Sequence, residues 1–481
     1  MTGAPHPVLA ELDGARVCLL GAGREGLSTL AFLRANVPGA RLTVADGRDT
    51  SDLVAAVPDG VELLTGDGYA DALGGFDVVV RSPGIPPTRP ELVAARAAGA
   101  RVTSNMALFM AMRAGRVAGV TGTKGKSTTA SLLHAMLRSA GLDARLVGNI
   151  GHPALTELRF DDPGESGAMY VAELSSHQLA DLDVSPHLAV VHHVVPEHLD
   201  YYGDFELYLD AKANITRHQG ESDLVVFDHD SGPAGRIAAL SKGGSSGFGF
   251  GPGQRGGGRR CTVEDGWVVE RAGERLTRLV AVDSIGLRGR HNVVNVLAAA
   301  MATRLLVDSP EPVARAARAF TGLPHRLEPV ASVDGVAWFD DSLATVPEAA
   351  MAAIESFAAP AVLIAGGEDR GQDFAALAEL LRRRARAVVL LPPSGERLRA
   401  ALGADAERLG CVAAASMGEA VSAARAAART GDVVLLSPAA ASRGLFRDYA
   451  DRGEQFKAAV AELAGPVGAR SSRLGSTGRA R

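Results

Sequence analysis

The stretch RVAGVTGTKGKST (residues 116–128) decides the fold, because it joins an apolar run to a glycine-rich turn and then to an amphipathic helix. The helix predicted over Thr128–Ala140 places four apolar side chains on one face: Leu132, Leu133, Met136 and Leu137. A strand, a glycine-rich turn and a helix N-terminus together present backbone N–H groups and the helix dipole to a phosphate. The pattern predicts a nucleotide loop in which Lys126 reaches the β- and γ-phosphates and Ser127 or Thr128 holds Mg²⁺.

The match to the full phosphate-loop pattern is partial, because Val120 stands where that pattern has glycine. A glycine-rich turn with incidental lysines is the alternative. The rarity of lysine favours the nucleotide loop: only five of the 50 Lys and Arg residues are lysines, and two of them, Lys124 and Lys126, lie in this turn. A third, Lys212, falls in the helical stretch YLDAKANI, where most proteins carry a plain surface lysine.

Short apolar runs alternate with helical patterns on both sides of this loop, which predicts βαβ units and parallel sheets. We predict three α/β domains: an N-terminal Rossmann-like domain (1–114), a central phosphate-loop domain with a mostly parallel sheet (115–322) and a C-terminal Rossmann-like domain (323–466). Residues 467–481 are predicted to be a disordered tail. The Gly- and Ser-rich stretch Gly243–Arg260 is predicted to be a surface loop between strands.

The composition is that of an ordinary globular protein, with 481 residues, 47% hydrophobic and 22% charged. A net charge of −5 offers no basic face for nucleic acid and no polybasic membrane anchor. Three cysteines, Cys18, Cys261 and Cys411, cannot form a disulfide framework and are typical of a reducing compartment. No secretory leader and no apolar run of about 18 residues is visible. We expect a cytoplasmic protein without a nucleic-acid or membrane partner.

A second glycine-rich turn, Gly21–Gly26, follows the apolar run Val17–Leu20, and Asp46 ends the next predicted strand. This spacing is typical of a dinucleotide fingerprint, in which the acid contacts a ribose hydroxyl. It fits a NAD site, a site for another nucleotide's diphosphate, or a tight turn that binds nothing. Because NAD is hard to combine with a phosphate loop in the next domain, we favour a nucleotide-linked substrate.

Two further groups follow the nucleotide loop. Glu173 ends the apolar run Met169–Ala172, and a carboxylate at the carboxyl end of a parallel strand faces the phosphate crevice, where it can hold Mg²⁺. His198 lies in the segment PEHLD and is a candidate metal ligand, whereas His192 and His193 fit a strand better. A solvated loop is the alternative for each.

The motifs TGTKGKST, GNIG, ELSS, EHLD, AK, GRHNVVN, LPHR, DDS and LLSPAAAS resemble, in this order and across nearly the whole chain, the Mur ligases of peptidoglycan synthesis. SPGIP (Ser82–Pro86) and the late pattern SPAAAS…F…RG resemble the glutamate-adding branch. The resemblance implies that the N-terminal domain binds UDP, the central domain ATP and the C-terminal domain the amino acid. It also implies an enzyme, expected to be a monomer, that joins L-glutamate to UDP-N-acetylmuramoyl-L-alanine through an acyl phosphate and releases ADP and phosphate.

The resemblance also implies roles for particular residues. Lys126 is expected to stabilise the transferring γ-phosphoryl group, Ser127 and Glu173 to ligate a first Mg²⁺, and His198 a second. Lys212 corresponds to the family's carbamylated lysine, an anionic metal ligand that arginine cannot supply. Contacts to ATP are expected from Gly122, Thr123, Lys124, Gly125, Lys126, Ser127, Thr128, Asn292 (adenine), Arg326 (phosphates) and Asp341 (ribose). Contacts to the other substrates are expected from Gly21, Gly23, Gly26, Asp46, Ser82, Asn149, Thr345, Ser442 and Arg443.

Three positions depart from the D-glutamate-adding pattern. Leu343 replaces the lysine of DSKATN, Arg443 follows Ser442 where an apolar residue is usual, and Lys124 replaces the asparagine of TGTNGKST. A cation lost in one place and gained in another resembles the variant branch that adds L-glutamate and works with a separate epimerase. The same reaction with D-glutamate, with neutral drift at these positions, is the alternative.

Other classes fit less of the chain. A folate polyglutamate synthase lacks the preceding nucleotide-type domain, and a nicotinamide oxidoreductase leaves Lys126, Glu173, His198 and Lys212 without a role. A non-catalytic nucleotide-binding regulator stays open, since motifs alone do not establish turnover.

Overall fold

The computed structural model describes residues 6–158, 167–251, 258–287 and 289–464. The chain divides into two compact units, Met1–Phe320 and Thr321–Arg481. The first unit contains two β-sheets and the second contains one. The predicted α/β class is confirmed, and the three-domain boundaries stay predictions. The predicted tail lies outside the described residues.

The first sheet has five parallel strands in the order β3-β2-β1-β4-β5. Its strands are β1 (Arg16–Leu20), β2 (Arg41–Asp46), β3 (Glu62–Thr65), β4 (Val78–Arg81) and β5 (Arg101–Thr103). The accompanying helices are α1 (Pro7–Ala10), α2 (Arg24–Asn36), α3 (Ser51–Ala56), α4 (Pro90–Ala97) and α5 (Asn105–Arg113). Strand order reverses at β1, so the glycine-rich turn after β1 lies at the crevice where open parallel sheets bind ligands.

The second sheet has nine strands in the order β14-β13-β12-β11-β10-β9-β6-β8-β7. Its strands are β6 (Val117–Thr121), β7 (Ala144–Gly148), β8 (Met169–Glu173), β9 (Leu188–Val191), β10 (Leu224–Asp228), β11 (Gly244–Phe248), β12 (Arg260–Glu264), β13 (Trp267–Ala272) and β14 (Arg275–Ala281). Across the sheet, all neighbouring strands from β7 through β8, β6, β9, β10 and β11 to β12 pair in parallel. Strands β13 and β14 add an antiparallel edge.

The helices of this part cover the sheet and carry several of the predicted site residues. They are α6 (Lys126–Ser139), α7 (Ser176–Leu179), α8 (Leu199–Tyr202), α9 (Phe205–Arg217), α10 (Gly232–Ala238), α11 (Arg290–Leu306) and α12 (Glu311–Ala319). Helix α6 packs against α11 and α12, and its four predicted apolar residues are all fully buried. Strand β6 lies between β8 and β9, so the nucleotide loop that follows it sits inside the sheet, on the third strand from the β7 edge.

The prediction of a loop over Gly243–Arg260 is wrong for its first part, where β11 pairs in parallel with β10. Its small residues serve close packing: a Cβ on Gly243 would lie 2.0 Å from the Asp223 carbonyl oxygen, and one on Gly247 2.9 Å from His229 Nδ1. Phe248, at the end of β11, is fully buried. Residues 252–257 lie outside the described residues.

The second unit contains a six-stranded sheet in the order β15-β16-β20-β17-β18-β19, parallel except for β15. Its strands are β15 (Glu328–Val333), β16 (Val336–Asp340), β17 (Ala361–Gly366), β18 (Ala385–Leu391), β19 (Val412–Ala413) and β20 (Val433–Leu436). The helices are α13 (Pro347–Glu355), α14 (Ala375–Arg384), α15 (Ser394–Leu402), α16 (Asp405–Arg408), α17 (Met417–Ala427) and α18 (Tyr449–Ala464). Within the described ranges, no helix has the length and apolarity to cross a membrane.

Candidate active site

The nucleotide loop connects the end of β6 to the start of α6. Gly122 has φ 144°, and a Cβ there would lie 2.5 Å from the His192 Cβ, so a side chain at this position would clash. Gly125 is left-handed at φ 88° and is the N-cap of α6, and among the described residues no side chain caps this end. The helix therefore begins with N–H groups that no side chain occupies, which is the arrangement that binds phosphate.

The two lysines of the loop differ in their surroundings. Lys126 folds back over the loop, and its ammonium donates to the carbonyl oxygens of Gly122 (3.0 Å) and Thr123 (2.9 Å). Lys124 extends outward, 78% exposed, and pairs with Glu197 at 2.7 Å. Glu197 precedes His198, so Lys124 links the nucleotide loop to the segment that carries a predicted metal ligand.

Buried polar contacts support the nucleotide loop. His192 follows β9, and its Nε2 lies 2.6 Å from the Thr129 hydroxyl. Burial, and next the charge of Lys126, lower the pKa of His192 to about 3, so the ring is neutral and serves packing and hydrogen bonding. The Thr129 hydroxyl also donates to Asn295 Oδ1 on α11 at 3.4 Å, and Asn295 is 5% exposed. Its amide donates to Asn292 at 3.0 Å, which brings the predicted adenine contact to the same side of α6.

Lys212 is a buried lysine, in contrast to the surface position its helical context suggests. It is 1% exposed on α9, a helix capped by Asp204, whose carboxylate accepts from the Leu207 N–H at 2.8 Å. The Lys212 ammonium donates to the Gly122 carbonyl oxygen at 2.9 Å and lies 4.6 Å from the centre of the Tyr208 ring. Burial, followed by the nearby charge of Lys126, lowers its pKa well below the usual lysine value.

Glu173 and Asn149 meet where β8 ends. Glu173 is 1% exposed, and its Oε1 accepts a hydrogen bond from the Asn149 amide at 3.1 Å. Its Oε2 is buried and has no hydrogen-bond partner among the described residues. A buried carboxylate oxygen without a donor is costly unless something else neutralises it, and a cation is the ordinary solution.

His198 lies at a strained point of the backbone. Its φ is 56°, unusual for a residue other than glycine, and it begins α8. Its ring is about half-exposed and packs edge-on against His177, with centroids 4.8 Å apart. Tyr208 lies beside both Lys212 and His198, at 6.3 Å between the Tyr208 and His198 rings, and sequence reasoning missed this tyrosine.

The turn after β1 has the close approaches that its glycines predict. A Cβ on Gly26 would lie 2.0 Å from the Gly21 carbonyl oxygen, which in turn accepts a hydrogen bond from the Ser82 hydroxyl at 2.9 Å. Gly23 has open space around it. The turn thus joins Ser82 to the predicted fingerprint.

Asp46 is held by an arginine that the sequence analysis did not single out. Arg48 donates to both of its oxygens, at 2.9 and 2.8 Å, and the Ala22 N–H donates at 2.7 Å. These contacts, above all the one with Arg48, lower the pKa of Asp46 to about 2. Asp46 therefore anchors both the turn after β1 and the Arg48 guanidinium.

In the second unit, Asp341 follows β16 and is 5% exposed. Its carboxylate accepts from the Ser437 hydroxyl at 2.7 Å and from the Leu327 N–H at 3.1 Å. Burial, the largest effect, raises the pKa of Asp341 to about 6. Asp341 thereby joins the LPHR segment to the end of β20.

Arg326 is exposed between two left-handed residues, His325 (φ 61°) and Leu327 (φ 45°). Such backbone strain persists only where neighbours fix it. The His325 Nδ1 lies 2.7 Å from Asp340 Oδ2, and the His325 N–H donates to Glu328 at 2.8 Å. His325, Glu328 and Asp340 converge as metal ligands do, but Glu328 also binds Lys457 and Asp340 also accepts from the Ser342 N–H.

A buried arginine that sequence reasoning did not assign holds the predicted amino-acid pocket. Arg452 is fully buried on α18 and donates to the Ser342 hydroxyl (2.9 Å), the Ser342 carbonyl (2.8 Å) and the Ala440 carbonyl (3.0 Å). It joins the DDS and SPAAAS segments. Ser442 is buried beside them, whereas Arg443 is exposed and Thr345 half-buried. Among the described residues, no carboxylate pairs with the Arg443 guanidinium.

Three family models match successive parts of the chain: the Mur ligase MurD-like N-terminal domain (residues 15–104), the Mur ligase middle domain (120–303) and the Mur ligase glutamate ligase domain (325–440). Among similar proteins, UDP-N-acetylmuramoylalanine–D-glutamate ligase of Symbiobacterium thermophilum is 37% identical over 93% of this chain and 98% of that protein. The protein of the same name from Aromatoleum aromaticum is 38% identical over 95% and 99%.

Solved structures share the fold at low identity. UDP-N-acetylmuramate–alanine ligase of Thermotoga maritima has a TM-score of 0.54 at 17% identity, covering 93% of this chain and 99% of that one. MurF of Acinetobacter baumannii has a TM-score of 0.52 at 17% identity, covering 95% and 92%. Together with the three family matches, the fold and the nucleotide loop define the class of protein as an α/β ligase.

The chain belongs to the Mur ligase family of peptidoglycan synthesis, which confirms the resemblance drawn from its motifs. Its similar relatives carry the name D-glutamate ligase, which favours the D-glutamate alternative over the L-glutamate expectation. The roles expected of individual residues stay predictions.

Proposed function

We propose that this protein is an ATP-dependent ligase that joins glutamate to the alanyl carboxylate of UDP-N-acetylmuramoyl-L-alanine and releases ADP and phosphate. The observation that carries the proposal is the convergence of Lys126 and Lys212 on one atom, the Gly122 carbonyl oxygen, within the nucleotide loop. Lysine is a rare residue type in this chain, and both of these lysines meet at the loop. Glu173 contributes negative charge to the surroundings of Lys212. The proposed reaction takes place in the cytoplasm, by a monomer, on small-molecule substrates.

The donors fit the two Mg²⁺ ions expected of the family. Ser127 and Glu173 would hold the first, with the unpartnered Glu173 Oε2 as the oxygen that needs a cation. His198 and a carbamylated Lys212 would hold the second. A lowered lysine pKa favours the neutral amine, which is the form that adds CO₂. Bound Mg²⁺ would neutralise charge on the phosphates as the γ-phosphoryl group moves.

The protein's own groups account for the rest of the chemistry. An oxygen of the alanyl carboxylate attacks the γ-phosphorus and ADP leaves, which converts a poor acylating agent into an acyl phosphate. The amine of glutamate then attacks the carbonyl carbon, loses a proton and expels phosphate. Both steps concentrate negative charge, which the Lys126 ammonium and the N–H groups at the start of α6 stabilise. The remaining predicted contacts bind ATP and the UDP-linked acceptor.

D-glutamate is the amino acid that the comparisons favour, because the relatives at 34–38% identity are named for it. L-glutamate is the second candidate and rests on two side chains. Leu343 cannot pair with a carboxylate, and Arg443, exposed and without a carboxylate partner among the described residues, can. An epimerase acting on terminal L-glutamate is a partner only under this second candidate.

Phosphate release by the purified protein tests the proposal, with ATP, Mg²⁺, UDP-N-acetylmuramoyl-L-alanine and either L- or D-glutamate. Turnover with D-glutamate alone supports the first candidate, and turnover with L-glutamate alone supports the second. If neither enantiomer supports release in a protein that binds ATP, the ligase proposal fails and a nucleotide-binding regulator takes its place.

A matched pair of variants tests the role of Arg443. Arg443→Leu removes the cation, and Arg447→Leu removes another exposed arginine four residues later. If Arg443 binds a glutamate carboxylate, its loss raises the KM for the accepted enantiomer at least tenfold, while Arg447→Leu leaves that KM within twofold. Equal KM values in the two variants would remove Arg443 from the pocket.

A further inference from the structure

Among the described residues, side chains at the start of α2 and the end of β4 reach from the first sheet's layer to the ends of elements around the second sheet. Arg24 donates to the carbonyl oxygens of Gly148 (3.1 Å) and Asn149 (3.3 Å), and Glu25 accepts from the Gln178 amide at 2.6 Å. The third is Arg81, the last residue of β4. Arg24 and Glu25 lie within Gly21–Gly26, the turn predicted to hold UDP, and Arg81 directly precedes Ser82, a predicted substrate contact.

Arg81 makes the densest of these contacts. Its side chain is fully buried, and its guanidinium forms an ion pair with the buried Asp181 and donates to the His177 carbonyl oxygen at 3.2 Å. The same guanidinium donates to the carbonyl oxygens of Ser82 (3.3 Å), Pro83 (3.1 Å) and Ile85. The planar guanidinium thus donates hydrogen bonds to the SPGIP carbonyls on one side and to the start of α7 on the other.

Both the charge and the planar shape of the Arg81 guanidinium matter at this buried position. Asp181 is nearly fully buried, and burial, more than any other effect, raises its pKa in spite of the arginine. Removing one member of such a buried pair leaves the other charge unpaired, which is far more disruptive than losing a surface pair. Lysine keeps the positive charge but has a single ammonium group in place of the planar guanidinium. It therefore cannot reach the SPGIP carbonyls and the Asp181 carboxylate together.

The contacts continue from Arg81 toward both halves of the proposed site. On one side, Ser82 follows Arg81 directly and donates to the Gly21 carbonyl oxygen, which shapes the turn predicted to bind UDP. On the other side, the His177 ring packs against the rings of Tyr201 and His198, at centroid distances of 4.3 and 4.8 Å. Arg81 therefore lies between two parts of the proposed site. One is the turn after β1, which would hold UDP, and the other is the segment around His198, which would hold a metal.

We propose that Arg81 is a positioning residue for the UDP-linked acceptor: it clamps the SPGIP loop to α7 and so fixes the acceptor's distance from the reacting groups. This inference rests on the proposed function. Among the described residues, the hydrogen bonds of Arg81 go to the SPGIP segment, to the start of α7 and to Asp181 and Tyr201, not to the predicted ATP contacts, so we expect ATP binding to be unaffected.

The test uses Arg81→Lys and Asp181→Asn in the full chain, with Arg16→Met as the matched control. Arg16 pairs with Asp77 at 2.9 Å in the same sheet, but both side chains are about half-exposed. The Kd for UDP-N-acetylmuramoyl-L-alanine, its KM, the KM for ATP and the hydrogen exchange of the Ser82, Gly84 and Ile85 amides are measured for each protein.

We expect Arg81→Lys to raise the acceptor Kd and KM at least tenfold, to leave the KM for ATP within twofold, and to speed exchange of the three amides. Asp181→Asn, which keeps the shape and removes the charge, shifts the same quantities in the same direction. The Arg16→Met control leaves all of them within twofold. Unchanged acceptor binding and exchange in Arg81→Lys, or an equal rise in the KM for ATP, would overturn the proposal.

Failure of the proposed function is distinguishable from failure of this inference. A wild-type protein that binds the acceptor but releases no phosphate contradicts the ligase proposal, whereas acceptor Kd and amide exchange still report on Arg81 without turnover. Where Asp181→Asn does not fold, Arg81→Lys decides the question alone.

Discussion

The ammonium of Lys212 donates a hydrogen bond to the carbonyl oxygen of Gly122 across 2.9 Å, from a position that is 1% exposed. A lysine buried this deeply carries no ordinary surface role, because desolvation penalises its charge. Lys126 donates to the same carbonyl oxygen in the nucleotide loop. We therefore expect the two lysines to act in the same reaction step.

Replacement of Lys212 by arginine, which stays a cation, is expected to lower phosphate release at least 100-fold. Arginine cannot lose its proton and therefore cannot capture CO₂, and its larger head does not fit the buried position. Rates are measured alongside Lys242→Arg, a lysine far along the chain from the loop. Wild-type rates should also fall in carbonate-free buffer and return with bicarbonate; a rate indifferent to bicarbonate argues against carbamylation.

Lys126→Ala is expected to cost about 3–4 kcal/mol of transition-state stabilisation, or roughly 100- to 1,000-fold in rate, as for other charge-stabilising donors. The loss falls on kcat, because the charge on the γ-phosphoryl group develops during transfer. Single-turnover phosphate release measures it. Activity within twofold of wild type would remove Lys126 from its assigned role.

Thr129→Val is expected to destabilise the first unit by about 1–3 kcal/mol, because it leaves the buried His192 Nε2 without its hydroxyl partner. Thr156→Val provides the comparison, since the Thr156 hydroxyl bonds a carbonyl at an exposed site and its loss should cost less than about 0.5 kcal/mol. Urea unfolding measures both. Equal effects would mean that the His192 contact does not support the loop.

The second unit should lose stability as pH rises from about 4 to about 6, through Asp341. Its folded pKa of about 6 lies above the usual value of an aspartate carboxyl, so the folded state keeps a proton that the unfolded state has released. The free energy of unfolding therefore falls across this window, by up to about 3 kcal/mol for a shift of this size. Asp341→Asn removes the slope. Parallel pH profiles for the two proteins would contradict the raised pKa.

The sequence predicted the elements that local pattern determines. The runs at β1, β2, β6 and β8 are strands, and the apolar face of α6 is buried. It failed at β11, where small residues that usually mark a loop serve close packing instead.

The parts of the site that depend on tertiary contact were not accessible to pattern reasoning. Arg81 and Asp181 are one hundred residues apart, and nothing in either segment predicts a buried pair. Tyr208 precedes Lys212 by one helical turn, a spacing that could have placed its ring beside the ammonium. Arg452 lay within a quoted motif, but only the fold shows that it binds Ser342 and Ala440.

The most direct test of the central claim follows one oxygen atom. UDP-N-acetylmuramoyl-L-alanine labelled with ¹⁸O in its alanyl carboxylate is turned over with ATP, Mg²⁺ and the accepted glutamate, and the released phosphate is analysed by mass spectrometry. An acyl phosphate predicts one ¹⁸O atom in each phosphate and none in ADP. Phosphate without ¹⁸O, or label in AMP, would contradict the account.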